Sequence, residues 1–457
     1  MSEFLFNEFG EVSAKQWKQK IQYDLKGADY NETLVWQSAE GINVKPFYHA
    51  DDFKNEFRPI PGQPSSWKIA QKVFIDNEKI ANTLAIDAAS RGAEAIIFAA
   101  EKEFDIHTVF KNFPVETTVI YFNLKFLSET FYNELISFLS ERGATVFYNI
   151  DILGNLARTG NWFHNQKRDH EILDAIFKGN GTEHIFSVDV SLFQNAGATI
   201  VQQLAYALAQ ANEYLNHIAS ETKPSLRVAF NLATGPNYFF EIAKIRALRK
   251  LYAVLAKEYG LPETCHITAT PSKRNKTLYD YNVNLLRSTT ECMSAILGGA
   301  DTVCNLPYDA LYHKSNEFGE RIARNQLLIL KHESYFDTVS NPADGTYYIE
   351  SLTEELAEKS LQLFKEIEKG GGFLRQLKEG TLQRKISENA EKEQKRFDSG
   401  ALKLLGTNYH PNKNDRMKHE LELFPFLKKN PIKTLLVPIL EKRLAEITEQ
   451  ERLNLEP

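Results

Sequence analysis

Cysteine is scarce, with Cys265, Cys292 and Cys304 the three in a chain of 457 residues. They lie far apart in apolar surroundings, so neither a disulfide framework nor a zinc spacing can be drawn from them, which suits a reducing cytoplasm. Charge of one sign is also lacking. Interspersed, 54 basic and 60 acidic side chains leave a net charge of −6, which gives no long-range attraction for polyanions and argues against a nucleic-acid partner. Nothing approaches the roughly 20 apolar residues of a membrane span, and the opening, MSEFLFNEFGEVSAKQW, lacks the basic-then-apolar order of a signal peptide. The expectation is a cytoplasmic protein without a membrane segment. General catalytic signatures are missing too: no Walker glycine loop, HExxH, GxSxG or CxxC.

What is present is ample core material, 43% hydrophobic and 12% aromatic, in a chain long enough for one large barrel plus appendages. The first 65 residues read as an arm. Ser13-Ala-Lys-Gln16 fits a capping box, and Trp17, Ile21 and Leu25 repeat at helical spacing until Gly27. Two short extended pieces, 33–36 and 42–48, and a proline-rich joint at 58–64 follow. So thin a segment must lie on this chain's body or on a partner.

From Trp67 short apolar runs alternate with amphipathic helical stretches. The runs are 67–75, 95–100, 116–124, 145–151, 184–191, 226–234, 265–271 and 302–308. Helical periods include 77–91, 129–142, 198–219, 238–259, 279–297 and 317–332. Continuous apolar strands with crossover helices imply a parallel sheet. Eight units over residues 66–334 have the size of an eight-stranded parallel (TIM-type) α/β barrel, with a doubly wound open sheet as the alternative. Residues 335–457 read as a mainly helical extension. Within it Tyr347-Tyr-Ile349 reads as a short apolar piece, Ser351 as the cap of a long helix ending at Gly370-Gly-Gly372, and 431–453 as an alternation of apolar and charged residues.

Few residues suggest chemistry on their own. Gly370-Gly-Gly372 follows a helix, not a strand, and is read as a helix terminator instead of a phosphate loop. Lys273-Arg274-Asn-Lys276 follows the seventh strand, at the end of a barrel where active sites are built. It could hold a phosphate or carboxylate, against the plainer reading of a solvated loop or partner contact. His266 reads as a satisfied core histidine, and Asp105-Ile-His107 and Asp169-His170 as solvent-facing charges. Seven aromatics on or beside strands (Phe98, Tyr121, Phe122, Phe147, Tyr148, Phe186, Phe230) predict an axis filled by side chains.

Several ordered motifs resemble the methylmalonyl-CoA mutase family: Glu40-Gly-Ile-Asn-Val-Lys-Pro46 with Tyr48, Gln194-Asn-Ala-Gly-Ala198, and Asn237-Tyr-Phe-Phe-Glu-Ile-Ala-Lys244 with Arg246-Ala-Leu-Arg249. Glu320-Arg-Ile-Ala-Arg-Asn325 with Glu333, Asn341-Pro-Ala-Asp-Gly-Thr-Tyr-Tyr-Ile-Glu350, Ile367-Glu-Lys-Gly-Gly371 and Asp398-Ser-Gly400 complete the series. The resemblance implies an adenosylcobalamin-dependent interconversion of methylmalonyl-CoA and succinyl-CoA, with coenzyme A threading the barrel axis of a catalytic chain.

The departures from that family pattern imply a different role here. Ser191 and Leu192 stand where catalytic chains carry a Tyr-His pair, and leucine can neither donate a hydrogen bond nor orient a carboxylate. His266 and Ala269 stand at the Arg and Ser positions of a substrate-handling run. The Arg-Gly-Pro-Tyr stretch is absent near residues 62–70, and Arg158 aligns one residue out of register with an arginine that faces the substrate carboxylate. Asp105-Ile-His-Thr-Val-Phe110 lacks the glycine of the cobalamin-domain motif. The resemblance therefore implies a small, noncatalytic subunit, with no catalytic, cofactor-binding or metal residues of its own. It would pair with a catalytic large subunit that binds adenosylcobalamin, and Trp17, Tyr23, Trp36, Phe47 and Tyr48 are its candidate interface anchors. The alternatives are an active acyl-CoA mutase barrel served by a separate cobalamin chain, and a stand-alone acyl-CoA-binding scaffold.

Overall fold

In the computed structural model, residues 8–53, 57–180, 184–218, 226–427 and 432–457 are described. The arm positions 54–56, Ala219 at the end of one expected helix, and Pro431 lie outside them.

The capping box at Ser13 starts helix Ala14–Asp24, the Gln16 side chain closing back on the Ser13 amide at 2.8 Å. A second short helix, Tyr30–Leu34, occupies part of the stretch expected to be extended. Asp29 accepts from the Glu32 amide at 2.8 Å and starts a helical turn that a reading of apolar residues alone misses. A small antiparallel ribbon of β1 (Trp36–Gln37) and β2 (Asn43–Val44) follows.

The body is a parallel barrel of β3 (Lys68–Phe74), β4 (Ala95–Ala100), β5 (Val119–Leu124), β6 (Val146–Phe147), β7 (Ser187–Asp189), β8 (Ala229–Thr234), β9 (His266–Pro271) and β10 (Thr302–Cys304). Hydrogen-bonded neighbours run β6-β5-β4-β3-β10-β9-β8-β7. The ring closes where Ile150 bridges Phe186 and the Tyr148 and Ile150 amides donate to His184 and Ile185 carbonyls at 3.0 Å. Closure removes the open-sheet alternative and leaves no free edge.

The pairing register fixes the faces. Lys72 pairs with Ile97, Ile97 with Tyr121 and Tyr121 with Phe147 on the axial side. Ile96, Phe98, Ile120 and Phe122 belong to the large apolar shell between strands and helices. Helices Ile200–Ile218 and Tyr238–Glu258 are buried nearly all round, because the C-terminal helix Tyr347–Lys369 packs across both. Arg246 is held there, fully buried, by Asp344 and by Glu350 at 2.6 Å, which explains why the Asn341–Glu350 motif and Arg246 occur together.

Two features of the C-terminal part differ from expectation. The long helix begins at Tyr347, not Ser351, so Tyr347-Tyr-Ile349 forms its first turn: Ile349 packs with Ile242, and Tyr348 lies 5.3 Å from Tyr48. After helix Thr381–Asp398 the described residues contain no further helix until Glu446–Leu455. Pro411, Pro425 and Pro438 interrupt any helical run there. Instead, residues 432–445 form a strap along the carboxyl ends of the strands. Its amides at Leu436, Ile439, Lys442 and Leu444 donate to carbonyls of Gly160, Ala157, Asn195 and Arg274.

Candidate functional site

The axis is crossed by side chains in its middle. Tyr121 reaches from β5 to the opposite wall, its Oη lying 2.9 Å from His266 Nε2 on β9 and 2.7 Å from Thr302 Oγ1 on β10. Phe147 stacks on Tyr121 at 4.7 Å and packs against His266 at 4.0 Å and His184 at 4.1 Å. Ala70, Ala95, Ala229 and Cys304 fill the remaining space. Of the seven aromatics whose number predicts a filled axis, Tyr121 and Phe147 point inward. Phe98, Phe122, Tyr148, Phe186 and Phe230 face outward into the helix-facing shell, placed there by strand alternation. Burial, only partly offset by Asp301, pushes the His266 imidazole down to about 4, so it is neutral at pH 7 and serves as a hydrogen-bonding core group.

Toward the carboxyl ends of the strands the axis opens into a cavity of about 560 Å³. Arg158, from the helix Ile152–Thr159, binds Asp189 at the end of β7 and Glu441 of the strap, both at 2.6 Å. Burial opposes the guanidinium charge, but Glu441 and Asp189 more than compensate and hold it above its ordinary range. Asp189 is held below the usual carboxylate range, Arg158 outweighing its burial. Asp151 accepts from Tyr214 and Gln210 and from the Gly154 and Asp189 amides, yet burial still raises it to about 6. Asn195 ties the strap to the barrel: its amide donates to Glu441 at 3.0 Å, and its carbonyl oxygen accepts from Ser272 Oγ and the Lys273 amide.

The paired candidate positions separate. Ser191 lines the cavity and donates to Asp189, whereas its neighbour Leu192 is buried in the outer shell. His266 faces the axis, while Ala269, three residues on and therefore on the other face of β9, packs among the helices.

The basic cluster after β9 is not a solvated loop. Buried Arg274 is paired with half-buried Glu393 and the Lys442 carbonyl, and buried Lys276 and Asn275 with buried Glu291. Only Lys273 of this group lines the cavity. Asp169, expected to face solvent, is fully buried and accepts from the Phe163 and His164 amides, a local cap that sequence spacing alone does not announce. Asp105 caps helix Ile106–Val109, and His107 packs edge-on to Phe138 outside the barrel. Gly370 ends one helix, and Gly371, in the left-handed region, starts the next, which opens at Gly372. Among the described residues, no group of three or more His, Cys, Asp or Glu is placed to hold a metal, and no helix is long and apolar enough to cross a membrane.

Sequence reading missed Lys72, Lys125, the Asp309–His313 pair (3.1 Å) and Glu441 on the cavity wall. The available signal was Lys72 in β3, in register with the axial Ile97 of β4.

The arm divides in two. Trp36, itself 48% exposed, packs one edge on Phe240 at 5.8 Å; Tyr48 packs on Tyr348; and Glu40 accepts from the Ile200 and Val201 amides at 2.9 and 3.0 Å, capping a barrel helix. Trp17 meets half-buried Phe47 edge-on at 6.4 Å, but lies on a helix that buries no residue and is 49% exposed; Tyr23 is 81% exposed.

Residues 98–435 match the family described as Methylmalonyl-CoA mutase. The chain is 33% identical over 447 residues to the methylmalonyl-CoA mutase small subunit of Porphyromonas gingivalis, covering 90% of this chain and 71% of that one. It is 26% identical to the small subunit of the same name from Streptomyces virginiae, covering 90% and 72%. To the methylmalonyl-CoA mutase of Rhizobium meliloti it is 26% identical, covering 89% of this chain and 65% of the relative.

Proposed function

The chain belongs to the methylmalonyl-CoA mutase family, and from that premise we propose that it is the noncatalytic small subunit of a heterodimeric mutase. In this reading it holds a catalytic large subunit in shape and performs no rearrangement itself. The observation that carries the reading is the Tyr121 bridge. A side chain bonded across the full width of the barrel, backed by Phe147 and His266, stands where a catalytic chain would thread coenzyme A. Leu192 adds to this, since its side chain is turned into the apolar shell and cannot act on a substrate.

The mouth fits the same role. Arg158, the guanidinium that could meet a substrate carboxylate, already has both of its faces occupied by Asp189 and Glu441. The family depends on cobalamin, and in this reading the near-match Asp105-Ile-His107 does not hold it. Asp105 is used as a helix cap, and His107 sits against Phe138 outside the barrel. In the proposed assembly cobalamin is bound by the partner.

The exposed helix Ala14–Asp24, with Trp17 and Tyr23 outward, supplies a surface for that partner, while Trp36, Tyr48 and Glu40 anchor the arm to its own barrel. Obligate interfaces of this kind bury on the order of 2,000 Å² or more.

The test is turnover of methylmalonyl-CoA with adenosylcobalamin by the purified chain, and by the chain co-expressed with a large subunit from its own source. The reading predicts no turnover alone and an active one-to-one complex. Turnover by this chain with only a small cobalamin-binding protein would overturn it in favour of an active barrel.

A further inference from the structure

The wall of the mouth carries more cations than its carboxylates engage. Lys72 extends from the axial row of β3. Lys125 continues the axial row of β5 two residues past Asn123, and Lys273 follows the end of β9. All three line the cavity. Arg158 by contrast is fully engaged with Asp189 and Glu441.

The remaining acidic groups on the wall are also committed. Asp151 is held by Tyr214, Gln210 and two amides, Asp309 by Asn316 and His313, and Glu320 by Ser315. Among the described residues, no ion pair or hydrogen bond engages the ammonium of Lys72, Lys125 or Lys273. They also act on one another. Burial and then the charge of Lys273 lower the Lys72 ammonium, and burial followed by Arg158 lowers that of Lys125, to which Lys72 adds. Like charges gathered around one recess repel one another, and a bound anion would relieve that repulsion.

Neutral donors complete the lining. Asn123, Asn149, Asn231 and Thr268 line the same space, and its volume lies within the range of small-molecule pockets. The plug at Tyr121 closes the inner end, so an occupant enters and stays at the strap side.

We propose that the mouth of this barrel is a binding site for a small anion bearing at least two negative groups, carboxylate or phosphoryl, clamped by Lys72, Lys125 and Lys273. The site goes beyond the assembly role proposed above and does not depend on it, because a silent barrel and an active one would both present these three lysines.

Calorimetric titration of the purified full-length chain tests it, using malonate and inorganic pyrophosphate at constant ionic strength with acetate as the monoanion control. Saturable binding of either dianion is expected, with acetate at least about tenfold weaker and Lys273→Gln weakening the dianion roughly tenfold, as for the loss of one charge-assisted bond. Binding of malonate alone assigns carboxylate chemistry and of pyrophosphate alone phosphoryl chemistry; binding of both assigns recognition by charge. A second measurement uses the unaltered protein and so does not depend on a variant folding. The bound dianion should slow amine acylation at Lys72 and Lys125, read by mass spectrometry, while Lys15 on the arm reacts unchanged. No saturation beyond acetate, full affinity in Lys273→Gln, or equal acylation with and without dianion would each overturn the proposal.

Discussion

At Tyr121 the barrel interior is packed and the hydroxyl is bonded on both sides. Toward the strap, at Lys72, Lys125 and Lys273, the same interior is open and three ammonium groups have no bonded partner among the described residues. The two regions are built from the same strands and differ in what selection for stability would favour. A bonded aromatic bridge stabilises the closed barrel, whereas three exposed like charges around the mouth repel one another and contribute no comparable stability. The contrast teaches that a family barrel can close its axis and still hold a chemically prepared mouth.

The largest effect should come from removing the bridge. Tyr121→Ala is expected to destabilise the chain by about 3 kcal/mol or more, as for a large aromatic removed from a packed site. Tyr121→Phe should cost about 1–3 kcal/mol by leaving His266 and Thr302 without their partner. Urea unfolding measures both, and near-zero values would show that the middle of the barrel is loosely packed.

The second effect is on pH dependence. His266 has a folded value of about 4 against an ordinary 6.5. Between these values the unfolded chain binds the proton and the folded chain does not, so stability is complete above about 6.5 and falls as pH drops toward 4. The difference corresponds to about 3 kcal/mol. Asp151, raised to about 6 by burial, works the other way, since its protonation on acidification favours the folded state. His266→Gln should therefore flatten the acid limb: loss of the steep fall between about pH 6.5 and 4 is the expected result of paired urea titrations.

Next in size is the cap joining arm and barrel. Glu40→Ala should cost about 1 kcal/mol by freeing the Ile200 and Val201 amides. At the mouth the sign reverses: Lys72→Met should leave thermal stability unchanged or raise it by up to about 1 kcal/mol in the absence of dianion. A loss of stability there would mean that Lys72 is a structural residue and would dissolve the contrast. Smallest of all, Trp17→Ala and Tyr23→Ala should change stability by less than about 0.5 kcal/mol while weakening capture of the large subunit.

Much of the barrel was legible in sequence. The runs at 95–100 and 265–271 nearly coincide with β4 and β9, because apolar strands bounded by turns leave little freedom. The facing of each aromatic was not legible, since a continuous apolar strand buried on both sides carries no alternation to read. That is why the sequence could not separate Phe98 and Phe122, which face the helices, from Tyr121, which faces the axis. The fate of Arg274 and Lys276 was hidden for another reason. Their partners Glu393 and Glu291 lie 119 and 15 residues away and are brought in only by the fold. Leu192 was read as unable to do chemistry, but only the structure reveals that its side chain leaves the mouth while Ser191 stays.

The most direct test of the central claim is the stoichiometry of methylmalonyl-CoA binding to the assembled one-to-one complex. The account predicts one site per heterodimer, in the large subunit, with this chain's axis closed at Tyr121. Two equivalent sites, or saturable binding of the thioester to this chain by itself, would contradict it.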